Sequence, residues 1–133
     1  GTPKQKTATL EGYLEKNESE NRVYLSNLKT AENKTIKTGY RVLASKNNLS
    51  LLEIELFTGR THQIRVHMSK NSHPIVGDAV YGKKKEEFKL NGQLLHAHKV
   101  GFIHPVTNEY MEFSREVPEY FEEVLETLRR RQL

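Results

Sequence analysis

Residues 49–70 read LSLLEIELFTGRTHQIRVHMSK, and the fold turns on how this stretch divides. Leu52, Ile54 and Leu56 alternate with Glu53 and Glu55, a period-two pattern that puts the leucines and isoleucine on one strand face. They are expected to face the core. Thr58-Gly59 ends the strand. Thr61 can cap a helix running to about Lys70, with Ile64 and Met68 four apart on its inner side. Ser72-His73-Pro74 stops it.

Upstream, Tyr40–Ala44 pairs with Leu49–Phe57 as a hairpin turning at Lys46-Asn47-Asn48. Thr7–Glu15 and Val23–Leu28 read as strands around a charged turn at Lys16–Asn21, and Ala31–Lys34 reads as a further turn. Downstream, Gly77-Asp78 and Tyr81-Gly82 carry turn chemistry, and Lys83–Glu87 is a charged loop. Gln93–Ile103 is expected as a long strand pairing with Glu109–Phe113 across Pro105–Asn108. Pro118–Arg131 is a helix: Pro leads, Glu119, Glu122 and Glu123 come early, three Arg come late, and Phe121, Val124, Leu125 and Leu128 form a stripe. The class is α+β with a mostly antiparallel sheet, in one domain of 133 residues.

Composition closes several chemistries. There is no Cys, which excludes disulfides, Cys-ligated zinc, iron–sulfur clusters and a thiol nucleophile. Asp78 is the sole Asp, so no mechanism in this chain uses two. No apolar run has the length of a membrane span. The serines lack a nucleophile elbow, and no GxxxxGK[ST] loop occurs. His62 and His67 are five apart, unlike the four-residue spacing of zinc-protease histidines, and no HExxH is present. His96 and His98 share a strand face and are the one pair suited to a metal-dependent hydrolase; no metal is expected. Net charge is +4, concentrated between residues 58 and 105, where eight Lys and Arg face three acids. Such a block suits an anionic partner, nucleic acid above all. Arg60, at the strand-to-helix junction, is disfavoured by the helix dipole unless it faces an anion, and Arg65 can fork onto a carboxylate.

Three segments in order, TGRTHQIRVH (58–67), HPIVGDAVYG (73–82) and LHAHKVGFIHP (95–105), resemble the C-terminal half of the catalytic domain of RluA-type RNA pseudouridine synthases. Pro118, Tyr120-Phe121, Leu125 and Leu128 are similar as well, and residues 1–57 match loosely, from the Gly-x-Pro turn onward. The resemblance implies isomerisation of uridine to pseudouridine in structured RNA (ribosomal or transfer), without a cofactor, in the cytoplasm. It implies RNA as partner, no membrane and no small-molecule cofactor. It implies that Arg65 is the arginine the family pairs with its catalytic Asp, that Arg60, His62 and Gln63 lie at the substrate, and that Leu95 packs under the target base. The family's HRLDxxTSG-like motif and its Tyr have no counterpart here. The chain therefore reads as a partial catalytic domain, inert alone, in which Arg65 lacks its partner and Asp78 closes a turn; its start at Gly1 fits a fragment. A non-catalytic RNA-binding module of the same fold is the alternative. Ser72 and Gly92 depart from the family pattern, which often has Gly before His-Pro and a basic residue before Gln-x-Leu-His-Ala.

Overall fold

A computed structural model describes residues 1–83 and 88–130, which fall into two compact units, 1–93 and 94–133. The first holds β1 (Thr7–Asn17), β2 (Arg22–Ser26), β3 (Lys34–Lys46), β4 (Leu49–Leu56) and α1 (Gln63–Lys70). Its strands form one antiparallel sheet in the order β2-β1-β3-β4.

The register places Ala8, Leu10, Leu14, Val23, Leu25, Ile36, Thr38, Tyr40, Leu52, Ile54 and Leu56 on one face. α1 packs there against β2 and β3. Leu14, Val23, Ile36, Val66 and Tyr81 form the buried cluster, with Leu25 beside it. Leu52, Ile54 and Leu56 do lie on the helix side, but none is fully buried, and Leu56 is 50% exposed. The cause is topological: β4 is an edge strand, beyond the reach of the helix that covers the sheet. The cleanest alternation in the sequence thus marks the margin of the core.

β3 begins at Lys34, where a turn was expected, because its buried inner positions are Ile36 and the polar Thr38, a weak apolar signal. A bulge falls between Val42 and Ala44. The hairpin then turns on Asn47 and Asn48, with φ of 53° and 60°. Both residues adopt the left-handed conformation that a two-residue type I′ turn requires and that Asn tolerates.

α1 starts at Gln63, two residues after Thr61, as expected, but Thr61 is not its cap. Its N-cap is His62, in the left-handed conformation (φ 52°) with no side-chain cap bond. Its inner row is Gln63, Val66, His67 and Met68, while Ile64 is half-buried. The expected 64/68 face follows apolarity; the actual one follows polar groups that find partners. The helix ends in a Schellman motif: His73 N–H bonds Met68 O at 2.9 Å and Ser72 N–H bonds Ser69 O at 3.1 Å, with Ser72 at φ 68°. This is why glycine suits that position.

The second unit holds β5 (Lys99–Ile103), β6 (Tyr110–Ser114) and α2 (Glu119–Arg130). The two strands pair antiparallel, and Phe102 stacks on Phe113 at 6.0 Å. The long strand expected from Gln93 starts only at Lys99, since β6 ends at Ser114 and residues 93–98 find no ladder partner among the described residues. In α2, Phe121 and Val124 are buried and Leu125 and Leu128 half-buried, as the stripe predicts. Residues 84–87 of the charged loop and Arg131 lie outside the described residues.

The cap geometry yields a direct expectation. Ser72→Gly removes the left-handed penalty of a residue with a Cβ and should raise stability by about 1 kcal/mol. A shifted midpoint in urea denaturation at unchanged slope is the readout.

Candidate functional site

α1 presents two rows of side chains. Gln63 and His67 face the sheet, while His62, Arg65 and Ser69 face the returning segment 77–82. The spacing of TGRTHQIRVH is the spacing of these two rows.

The sheet-side row is polar yet buried. Thr38 is 0% exposed, and Gln63 and His67 are 3% exposed. Gln63 donates from Nε2 to Lys37 O at 3.0 Å and Thr38 Oγ1 at 2.9 Å. Its Oε1 accepts from Thr58 Oγ1 at 2.8 Å and Arg60 N–H at 3.0 Å. All four hydrogen-bonding positions of the amide are filled. Gln63, expected at the substrate, therefore has no donor or acceptor left for one; it ties the Thr58–Arg60 loop to β3. Thr38 accepts from Gln63 and passes its own proton toward His67 Nδ1 at 2.8 Å. The His67 ring also bonds the Glu11 backbone. Burial holds this imidazole below its ordinary pKa, hence neutral, against the opposing pull of that backbone bond.

In the outer row, Arg65 forks onto Asp78, with Nε to Oδ2 at 2.9 Å and Nη2 to Oδ1 at 3.0 Å. The expectation that Arg65 stands without a partner is overturned. Asp78 closes its turn as expected, its Oδ1 accepting from Val80 N–H and Tyr81 N–H, each at 3.0 Å, and it holds Arg65 besides. The loop fits because Gly77, at φ 83°, turns the chain where an added Cβ would meet Gly92 O at 2.3 Å. The Asp78 side chain is 0% exposed and that of Arg65 14%. Burial alone would push the Asp78 carboxyl up, but the Arg65 fork and the two amides outweigh it and hold the pKa below the ordinary carboxylate range. Arg65 is shifted up by the same bonds. The fork occupies Nε and Nη2 and leaves Nη1 without a hydrogen-bond partner among the described residues.

Tyr81 closes the outer row; the sequence places it in a turn and a motif but gives it no part in the site. Its hydroxyl accepts from Val23 N–H at 3.0 Å and meets His62 Nδ1 at 3.0 Å. The arrangement that satisfies every group has Tyr81 donating to Nδ1, leaving the His62 proton on Nε2. Burial first, then the charges of Arg65 and Lys16, keep His62 below its ordinary pKa, against the pull of Asp78. Ser69 Oγ anchors the same residue by donating to Tyr81 O at 2.7 Å.

His62, Gln63 and Arg65 are thus brought together on α1, with Arg60 exposed just before it. Leu95 lies in the second unit, half-buried. There His98 Nδ1 donates to Arg115 O at 2.6 Å, and His96 Nε2 lies 3.4 Å from the same carbonyl. Each ring of the pair considered for metal turns one nitrogen to the backbone.

The family model for RNA pseudouridylate synthase matches residues 2–70, and the chain belongs to that family. The RluA-type motifs are those of a partial domain within it. The chain is 46% identical over 101 residues to the uncharacterized RNA pseudouridine synthase YlyB of Bacillus subtilis, a match covering 76% of this chain and 33% of that protein. It is 39% identical over 108 residues to the ribosomal large subunit pseudouridine synthase D of Zymomonas mobilis, covering 76% and 34%. The chain spans about a third of the length of these curated relatives. Its fold matches the human RNA Pseudouridylate Synthase Domain Containing 4 with a TM-score of 0.71 at 19% identity, over 93% of this chain and 57% of that one. At that identity the likeness speaks for the fold alone.

Asp78→Asn should destabilise the chain by about 3 kcal/mol, because it leaves the Arg65 guanidinium without its carboxylate. Two pH windows are expected in urea titrations of the parent chain. His67 is held neutral, so the unfolded state takes its proton first, and stability declines as pH falls below about 6.5. The carboxyl of Asp78 is held ionised, so stability declines again below about pH 4 as the unfolded state protonates first. Asp78→Asn should flatten the second decline and leave the first.

Proposed function

We propose that the protein to which this chain belongs isomerises uridine to pseudouridine in structured ribosomal or transfer RNA, in the cytoplasm and without a cofactor. The chain supplies one part of a single catalytic domain. The observation that carries this reading is the Arg65 guanidinium, locked in plane by Asp78 through Nε and Nη2, with Nη1 unbonded among the described residues. A planar fork held on one edge can present its other edge to a second carboxylate. The family's catalytic Asp is the carboxylate that Nη1 would hold ionised and in place, after the target base has been flipped out of the RNA.

The other residues have graded parts. Arg60, exposed and without an ion-pair partner among the described residues, serves the RNA backbone. His62 offers Nε2–H at the mouth of α1, and Gln63 acts by shaping the loop that carries Arg60. Leu95 provides an apolar surface for the target base. The basic block from 58 to 105 supports RNA as the partner.

The 133 residues alone should be inert. Their sole Asp is fully buried and bonded to Arg65, so it is not available as the nucleophile. In the full-length protein, Arg65→Ala should lower turnover by about 10²–10³-fold and also destabilise the fold by orphaning Asp78. Arg65→Lys should be nearly as poor, since an ammonium cannot serve two carboxylates with parallel bonds. Tritium release from uridine-labelled RNA is the assay. Wild-type release by Arg65→Ala would remove the role assigned to Arg65. Turnover by the isolated chain would show that the nucleophile lies within it, and no release by the full-length protein would overturn the reading itself.

A further inference from the structure

Arg22 opens β2 and belongs to none of the motifs above. Its side chain is half-buried, and its Nε is fully buried with no hydrogen-bond partner among the described residues. No carboxylate among the described residues forms an ion pair with it. Aromatic rings hold it instead: its Cζ lies 5.2 Å from the ring centroid of Tyr24 and 5.0 Å from that of Tyr81. The Tyr81 ring also carries Arg65, at 5.3 Å. Two guanidiniums therefore share one ring. The charge of Arg65 is matched by Asp78, while that of Arg22 is not matched.

The surrounding charges sharpen the imbalance. Lys16, at the end of β1, bears on His62 electrostatically, and His62 bonds the hydroxyl of the same Tyr81. The acids nearby are engaged: Asp78 holds Arg65, Glu20 accepts the Tyr24 hydroxyl, and Glu18 lies 3.6 Å from Lys16. A guanidinium fixed by stacking loses little side-chain freedom when it gains an anion, and its planar fork fits a phosphate. The unmatched charge, and not the buried Nε, is what an anion at this corner would satisfy, through the outer N–H groups of the fork.

We propose that Arg22 is an RNA-phosphate contact: the outer N–H groups of its guanidinium donate to a phosphodiester oxygen of the RNA strand, beside His62 and Lys16. This rests on the RNA reading above and extends the binding surface from α1 to the β1–β2 end of the sheet.

The test is fluorescence anisotropy of a short fluorescein-labelled single-stranded RNA with the 133-residue chain, from about 50 to 200 mM salt. Arg22→Gln should weaken binding about tenfold at the low-salt end and reduce the slope of log affinity against log salt by about 1. Arg22→Lys keeps the charge, so it should keep the slope and recover part of the affinity. Arg41→Gln removes a cation paired with Glu53 at the opposite end of β1 and should change neither. Thermal unfolding of each variant separates packing from binding, because a purely structural Arg22 would lower the melting temperature and leave the salt slope intact. Wild-type affinity and slope in Arg22→Gln would overturn the contact while the RNA reading stands. A folded Arg22→Lys with the reduced slope would also overturn it. No RNA binding by the wild-type chain at low salt would overturn the contact, while the RNA reading falls only with the tritium-release assay of the full-length protein.

Discussion

Thr38 is the hinge of the first unit. Its hydroxyl sits at zero exposure on the central strand β3, accepts from Gln63 and donates to His67. A buried hydroxyl costs free energy unless both its capacities are met. Meeting them fixes the rotation of α1 about its axis, because residues four apart must both point at one atom of the sheet. Once that rotation is set, His62, Arg65 and Ser69 can only face segment 77–82. The fork to Asp78, the Tyr81 hydroxyl bridge and the exit of the Nη1 edge follow from it.

The helix itself has little intrinsic reason to form. It spans eight residues, its N-cap is a left-handed His without a cap bond, and its first turn holds no acid. Short helices in water are marginal even with good formers. Tertiary bonds therefore carry α1: two from the Gln63 amide to β3, one from Thr38 to His67, the Arg65 fork, and the Ser69 anchor. The same arginine that is proposed to steady a catalytic carboxylate also pins a loop.

Much of this was legible beforehand. Period-two alternation located β4, paired asparagines located its turn, and dipole-matched charges located α2. The motif segments gave the family. What was illegible depended on partners. Nothing in Thr38 or Gln63 announces burial, because polar residues go inside only when specific acceptors meet them. The partnership of Arg65 with Asp78 depends on a loop reversing at Gly77 to bring a residue back over the helix. Leu56 looked like core and is half exposed because the sheet order, which alternation does not encode, puts β4 at the edge.

The hydrogen-bond chain that runs from Thr58 through Gln63 and Thr38 to His67 is a circuit with an evolutionary corollary. Changing one member strands a buried donor or acceptor, whereas replacing a bonded pair by apolar groups of similar shape can be nearly neutral. These positions are therefore expected to drift together or stay put: a lineage that loses the hydroxyl at 38 must also change 63 and 67. Neighbours such as Ile64 and Lys70, outside the circuit, are free to vary one at a time. Any restraint on change in the TGRTHQIRVH segment is then partly a property of its wiring and does not depend on contact with RNA.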